Sequence, residues 1–348
     1  MNINHKSHVK NHISKKNPAI SKDFLYLPRI LEKLYRMKKY FLPLFVMALL
    51  AVGFSSCKPD EEIYNPTCKI SKIWYLSDVG EPNEVYVYND KTKDLEQIIV
   101  DSVYSFDFTY EKDHSIKKIV HVGKNYTEQI DFVTTDRLVD KMTYTVDGEV
   151  RLEYTFHRNE NKKDKAYQRI ETIDVMYDAA FYEPYFDDIS NRSSKYPLYN
   201  KIFGDYKEIA KIVAERQTKD LQMYSVKRFT YDPGKHKKYE NLSKYEEVFN
   251  VGLPGEIVVT HTYQYDLKAY NPFYGLPFAY AEVAGFYKNL KVSEHIEKVV
   301  AGSANAPIDI TYNYSGMHYM NDKGYPRQFV TLSTENNIPR HTYILYKK

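Results

Sequence analysis

Met142-Thr143-Tyr144-Thr145-Val146-Asp147-Gly148-Glu149-Val150-Arg151-Leu152-Glu153-Tyr154-Thr155-Phe156 decides the fold class of this chain. Apolar and polar residues alternate on both sides of Asp147-Gly148, the period of a strand with one buried face. The dipeptide supplies the positive φ angles of a tight two-residue hairpin. Its neighbours repeat the pattern. Tyr104-Ser105-Phe106-Asp107-Phe108-Thr109-Tyr110 places a ring at every second position, Glu111 to Ser115 turns the chain, and Ile116 to Val122 returns it. Tyr126 to Val133 and Leu138 to Val146 follow, separated by Thr134 to Arg137. Similar runs recur at Val226–Tyr231, Glu256–Tyr265, Ile308–Tyr314, Gln328–Leu332 and Arg340–Tyr346. The expected fold is mainly β, an extended antiparallel sheet of successive hairpins with one or two short helices packed on it.

Two places break this rhythm. Asp205 and Glu208 form a capping-box pattern ahead of an apolar stripe at Tyr206, Ile209, Ala210, Val213 and Ala214, which predicts a helix over 205–219. A second helix is expected over 278–287, within an alanine-rich segment. Tyrosine is the signature residue, 35 in all. On a strand its ring covers apolar neighbours while the hydroxyl reaches water, so most of these residues are read as structural.

The N-terminal part carries a different signal. Met37-Lys38-Lys39-Tyr40 precedes an apolar run from Phe41 to Phe54, then Ser55-Ser56-Cys57. A basic start, a short apolar core and small residues at the cut make an export signal. The run is too short for a membrane-spanning helix, and Pro43 interrupts it. Ending on cysteine, the segment resembles a bacterial lipoprotein signal, which implies lipidation of Cys57 and a membrane anchor. Lys58-Pro59-Asp60-Glu61-Glu62 resembles the surface-export signal of Bacteroidota lipoproteins, which implies outward display, with the periplasmic face as the alternative.

This division organises the chain: 1–36 as an over-extended gene start or leader, 37–56 as signal peptide, 57–70 as lipidated tether, and 71–348 as a tyrosine-rich β domain with a helical insert over about 178–220. It also corrects the charge. The whole chain is formally +3, but ten of its Lys and Arg lie in residues 1–56 beside only two acids. The remainder holds 39 basic and 44 acidic residues, a balance of −5, which removes nucleic acid as a partner. Cys57 and Cys68 are the only cysteines, so no disulfide framework is expected.

Ile310-Thr311-Tyr312-Asn313-Tyr314 and Tyr319-Met320-Asn321-Asp322-Lys323-Gly324-Tyr325-Pro326 resemble the strand-turn unit of uncharacterised Bacteroidota lipoproteins with tyrosine-aspartate repeats. Phe286-Tyr287-Lys288-Asn289-Leu290 resembles a mid-chain segment of the same proteins, and Tyr231-Asp232 and Tyr265-Asp266 repeat the dipeptide. Asn321 stands where tyrosine is usual. The resemblance implies a tyrosine-rich antiparallel fold and an envelope location, and brings no catalytic residues.

No nucleophile elbow, phosphate-cradling loop or His-Glu-x-x-His helix is present, and no cofactor or metal site is read from the sequence. The eight histidines after Cys57 show no ligand spacing. The acidic and aromatic insert from Asp174 onward, with Tyr177, Asp178, Tyr182, Tyr185, Asp187 and Asp188, is the sharpest candidate ligand site. Rings beside carboxylates suit a sugar, and the same acids could take calcium. The competing reading is a loop whose rings tuck under the core while its acids face water. Phe273 and Tyr274 form a second candidate. Asp187 and Asp188 are adjacent, and neighbours on an extended chain point apart, so they make a poor hydrolytic pair. The function expected is a membrane-anchored, non-enzymatic module binding a glycan or partner protein. The alternatives are an envelope or polysaccharide hydrolase and a structural component of the outer membrane.

Overall fold

The computed structural model describes residues 68–76, 80–158, 169–182, 196–204, 212, 222–231, 241–252, 255–274, 276, 289–301, 308–333 and 339–347. Its strands are β1 (Ile70–Tyr75), β2 (Glu84–Tyr88), β3 (Leu95–Val100), β4 (Tyr104–Tyr110), β5 (Ile116–Val122), β6 (Thr127–Thr135), β7 (Leu138–Val146) and β8 (Glu149–Arg158). They continue with β9 (Ile170–Asp178), β10 (Gln222–Tyr231), β11 (Leu242–Phe249), β12 (Ile257–Tyr270), β13 (Asn289–Val300), β14 (Ile308–Met320), β15 (Pro326–Ser333) and β16 (Arg340–Tyr346). Two short helices, α1 (Ala179–Tyr182) and α2 (Pro197–Phe203), follow β9. The fold is mainly antiparallel β, as the alternation predicts. The expected helix over 205–219 lies outside the described residues except for buried Ile212, and that over 278–287 lies outside them entirely.

Each strand pairs with its sequence neighbours, and β1 pairs with β16, so the sheet closes into a barrel. Ile73 stands opposite Ile344 and Trp74 opposite Tyr343 at the seam. The hairpins are those of an extended sheet, but the sheet curls until its ends meet. Closure gives the N–H and C=O groups of both would-be edge strands a partner. At the β7–β8 turn Asp147 and Gly148 take φ of 53° and 84°, the mirror-image turn that matches strand twist.

Side-chain parity separates two surfaces. Met142, Tyr144 and Val146 of β7 face in and are buried, as are Leu152, Tyr154 and Phe156 of β8. Over β4–β9 many outward positions are polar and laced across strands, whereas Trp74, Val85, Val87, Ile99, Tyr343 and Leu345 face outward around the seam. Gln97 Nε2 donates to Asp107 at 2.7 Å, Lys118 sits 3.6 Å from Asp131, Lys141 2.5 Å from Glu153, and His157 2.8 Å from Asp174. A barrel whose wall crosses lipid carries an apolar outer band instead. Over β4–β9 the outer wall carries ion pairs in place of such a band.

The two ends differ. Cys68 and Lys347 lie at one end with the 89–94, 111–115, 136–137 and 321–325 turns; Lys347 N–H donates to Lys69 O at 2.8 Å. We call this the tether end. The 101–103, 123–126 and 147–148 turns and the insert after β9 lie at the other. β1 starts within the span assigned to the tether, because Cys68 and Ile70 are both buried.

Candidate functional site

The described residues of the insert are part of the interior. Leu198, Tyr199 and Ile202 of α2 are buried, as are Ala179, Phe181 and Tyr182 of α1. Tyr199 and Phe203 meet the inward Tyr144 ring edge-on at 5.4 and 5.7 Å, and Tyr182 meets Tyr177 at 5.9 Å. The two helices therefore pack inside the barrel against these inward-facing rings.

Buried carboxylates hold this filling in place. Glu128 of β6 is fully buried; its Oε1 accepts from Tyr144 Oη at 2.8 Å and Tyr199 N at 2.9 Å, and its Oε2 from Leu198 N at 3.1 Å. A strand carboxylate thus occupies the first turn of α2, where unpaired N–H groups need acceptors. Burial pushes this carboxyl up to about 7, against the opposing pull of the three hydrogen bonds. Glu84 of β2 grips the other end of α2: Lys201 Nζ donates to both of its oxygens at 2.8 Å, and Tyr75 and Tyr86 hydroxyls at 2.6 and 2.7 Å complete it. Burial acts to raise Glu84, but the ammonium and these bonds outweigh it and hold the carboxyl below its ordinary range.

Two further acids use the same chemistry. Glu247 of β11 accepts from Tyr177, Ser225 and Tyr245 at 2.8, 2.8 and 2.7 Å, with Lys227 Nζ 3.4 Å away. Burial would raise its carboxyl; Lys227 and the hydroxyls turn the balance and lower it. Burial likewise works to lower Lys227, and Glu247 and Tyr154 carry it up to about 12. Glu294 of β13 lies 2.8 Å from His261 Nδ1 and 2.6 Å from Lys291 Nζ. Each of these acids is already engaged by donors, which makes them ties between elements.

The structure divides the residues singled out in the sequence. Tyr177 and Tyr182 are 1% and 0% exposed, with hydroxyls on Glu247 and at 3.3 Å from Tyr199. Their ring faces are core surface and closed to a sugar arriving from solvent, as in the competing reading of rings tucked under the core. Asp178 faces outward in a 2.6 Å ion pair with Arg151. Tyr185, Asp187 and Asp188 lie outside the described residues, as does Cys57. Phe273 and Tyr274 are half-buried in the turn after β12, where Asn271 Oδ1 accepts from Phe273 N at 3.0 Å. That turn lies at the tether end and the insert enters from the other, so the two candidate regions do not form one site. Among the described residues no cluster of three or more His, Cys, Asp or Glu could hold a metal ion.

Sequence reading passed over Glu84, Glu128, Lys227 and Glu247, yet a signal was available. Glu128 shares parity with Ile130 and Phe132, Glu84 with Tyr86 and Tyr88, and Glu247 with Tyr245 and Phe249. A charged residue at an inward position of an alternating strand must find partners inside.

No family model matches the chain, and no curated protein matches it. Among solved structures it is similar to a porin-like protein from Bacteroides vulgatus ATCC 8482, at 12% identity and a TM-score of 0.39, covering 80% of this chain and 99% of that one. It is also similar to a chain of the TcdB2-TccC3-TEV structure, at 8% identity and a TM-score of 0.30; the match covers 80% of this chain and 14% of that one.

Proposed function

We propose that this chain is an outer-membrane lipoprotein, held by lipid on Cys57, whose barrel is a non-enzymatic binding module for a glycan or partner protein at the cell surface. The observation that carries the reading is the polarity of the wall. Charged pairs such as Lys118–Asp131 and His157–Asp174 stand on the outside of β5–β9, and rings, short helices and tied carboxylates stand inside. Such a wall is suited to water, so membrane attachment falls to the tether, and two or more acyl chains give a stable anchor.

Radiolabelled palmitate should enter the wild-type protein, and Cys57→Ala should move it from the membrane to the soluble fraction. A variant that still sediments with membranes would remove the anchor from the proposal. Protease treatment of intact cells separates outward from periplasmic display. For the binding role, a glycan array probed with wild type and with Phe273→Ala/Tyr274→Ala tests the half-buried pair at the tether end. Unchanged binding excludes that pair.

A further inference from the structure

The imidazole of His121, at the insert end of β5, is 3% exposed and has one nitrogen satisfied and one not. Nδ1 lies 2.9 Å from Ser105 O, while Nε2 is buried without a hydrogen-bond partner. A carbonyl only accepts, so Nδ1 carries the hydrogen and the Nε2 of the neutral ring is left an acceptor with nothing to accept from. Leaving such a group buried and unpaired costs about 1–3 kcal/mol.

Its surroundings specify what could pair with it. The rings of Tyr104, Phe106 and Tyr126 stand around the imidazole at centroid distances of 5.8, 5.6 and 6.0 Å. Phe106 is buried, and Tyr104 and Tyr126 are partly buried at the tips of the β3–β4 and β5–β6 hairpins, packed against the core. Val122 follows His121 on β5 and so faces the outer wall. Glu128 stands opposite His121 across the β5–β6 ladder, with both oxygens engaged by Tyr144, Tyr199 and Leu198. A sugar would bring several hydroxyls where one acceptor waits among rings, and each unpaired hydroxyl would cost free energy. A lone water needs two to four polar partners. A flat apolar body with a single donor matches best.

A Cβ on Gly123 would sit 2.6 Å from the Tyr126 ring, so this ring rests directly on the glycine backbone beside the imidazole, and it also meets the Tyr196 ring at 5.7 Å. The far end of a side chain is cheap to displace, and a methyl group at 123 would lift it.

We propose that His121 is the base of a binding pocket for a neutral aromatic donor, a phenol O–H or indole N–H, with Tyr104, Phe106 and Tyr126 as walls and Tyr126 as its cover. The assignment is independent of lipidation at Cys57. It is tested by titrating the full chain, labelled with 15N-histidine, with p-cresol and with toluene, which has the same shape without the donor. The His121 Nε2 resonance should move with p-cresol, and p-cresol should bind about tenfold more tightly than toluene, the worth of one hydrogen bond. His121→Phe should abolish that preference, and Gly123→Ala should raise p-cresol affinity several-fold by lifting the cover. A blocked tyrosine tripeptide distinguishes the two sources: tighter binding than p-cresol assigns the pocket to a partner's side chain, weaker binding to a free phenol. The proposal is overturned if p-cresol leaves the Nε2 resonance unmoved in both wild type and Gly123→Ala, or if toluene binds as tightly as p-cresol. The wild-type comparison stands even if His121→Phe fails to fold.

Discussion

Glu128 is the residue on which interior packing and solution pH meet. Its carboxyl is raised from an ordinary value of 4.5 to about 7, so the folded protein holds a proton there that the unfolded chain releases. Stability from this group is therefore full below about 4.5 and is lost as pH rises toward 7, roughly 3 kcal/mol over that window. Glu84 and Glu247 run the other way: their carboxyls are lowered, so their contribution is present above the unfolded value and is lost as pH falls into the acid range. Thermal melts should show a higher midpoint at pH 5.5 than at pH 7.5, and Glu128→Gln should flatten that difference; a variant that keeps the slope places its origin elsewhere. Lys201→Met strands the Glu84 carboxylate inside the barrel and should cost about 3–5 kcal/mol in urea denaturation. Adding Glu84→Gln should recover much of the loss, and a purely additive double mutant would refute the tie. None of these partners could be named from the sequence. An inward acid is visible as a break in alternation, but its donors come from residues up to 117 positions away.

At the scale of elements, local signals were read well and borrowed ones were not. β5, β7 and β16 have the limits the alternation gives, because strand parity and turn chemistry are encoded within a dozen residues. The position of α2 within the helical insert had no local pattern, for an equally physical reason. Pro197 stands in its first turn and Tyr196 offers no side-chain cap; its N–H groups are capped by Glu128 from a strand some seventy residues earlier. Gly148 offers a direct test of the local part. Nothing lies within 4 Å of a Cβ added there, so Gly148→Ala meets no clash and reports the left-handed backbone alone. The expected loss is about 1 kcal/mol in chemical denaturation. Asp147→Ala should add to this, since its Oδ1 accepts from Thr127 N at 2.9 Å and its own N–H donates to Thr127 O at 2.9 Å. An unchanged midpoint for both would show that the hairpin is held by its strands rather than by its turn.

For the whole molecule, the decisive features are the seam and the ion-paired outer face of β4–β9. Neither has a local signature: β1 and β16 pair across almost the entire described chain, and the alternation in each strand does not say which side faces its neighbours' interior. Fifteen ladders join consecutive strands and one joins the last to the first, so a truncation before Arg340 would open the barrel and expose Ile73. Such a chain should lose its cooperative melt. The seam also has a constructive consequence. Lys69 and Lys347 are backbone hydrogen-bond partners at 2.8 Å, so the path of the polypeptide is nearly a loop already. Splicing those residues through a short glycine-serine bridge and cutting the chain between Asp147 and Gly148 should give a circular permutant with the same far-ultraviolet spectrum and a single melting transition. Failure of that rearranged chain to fold would mean that the order in which hairpins form matters more than the closed ring they complete.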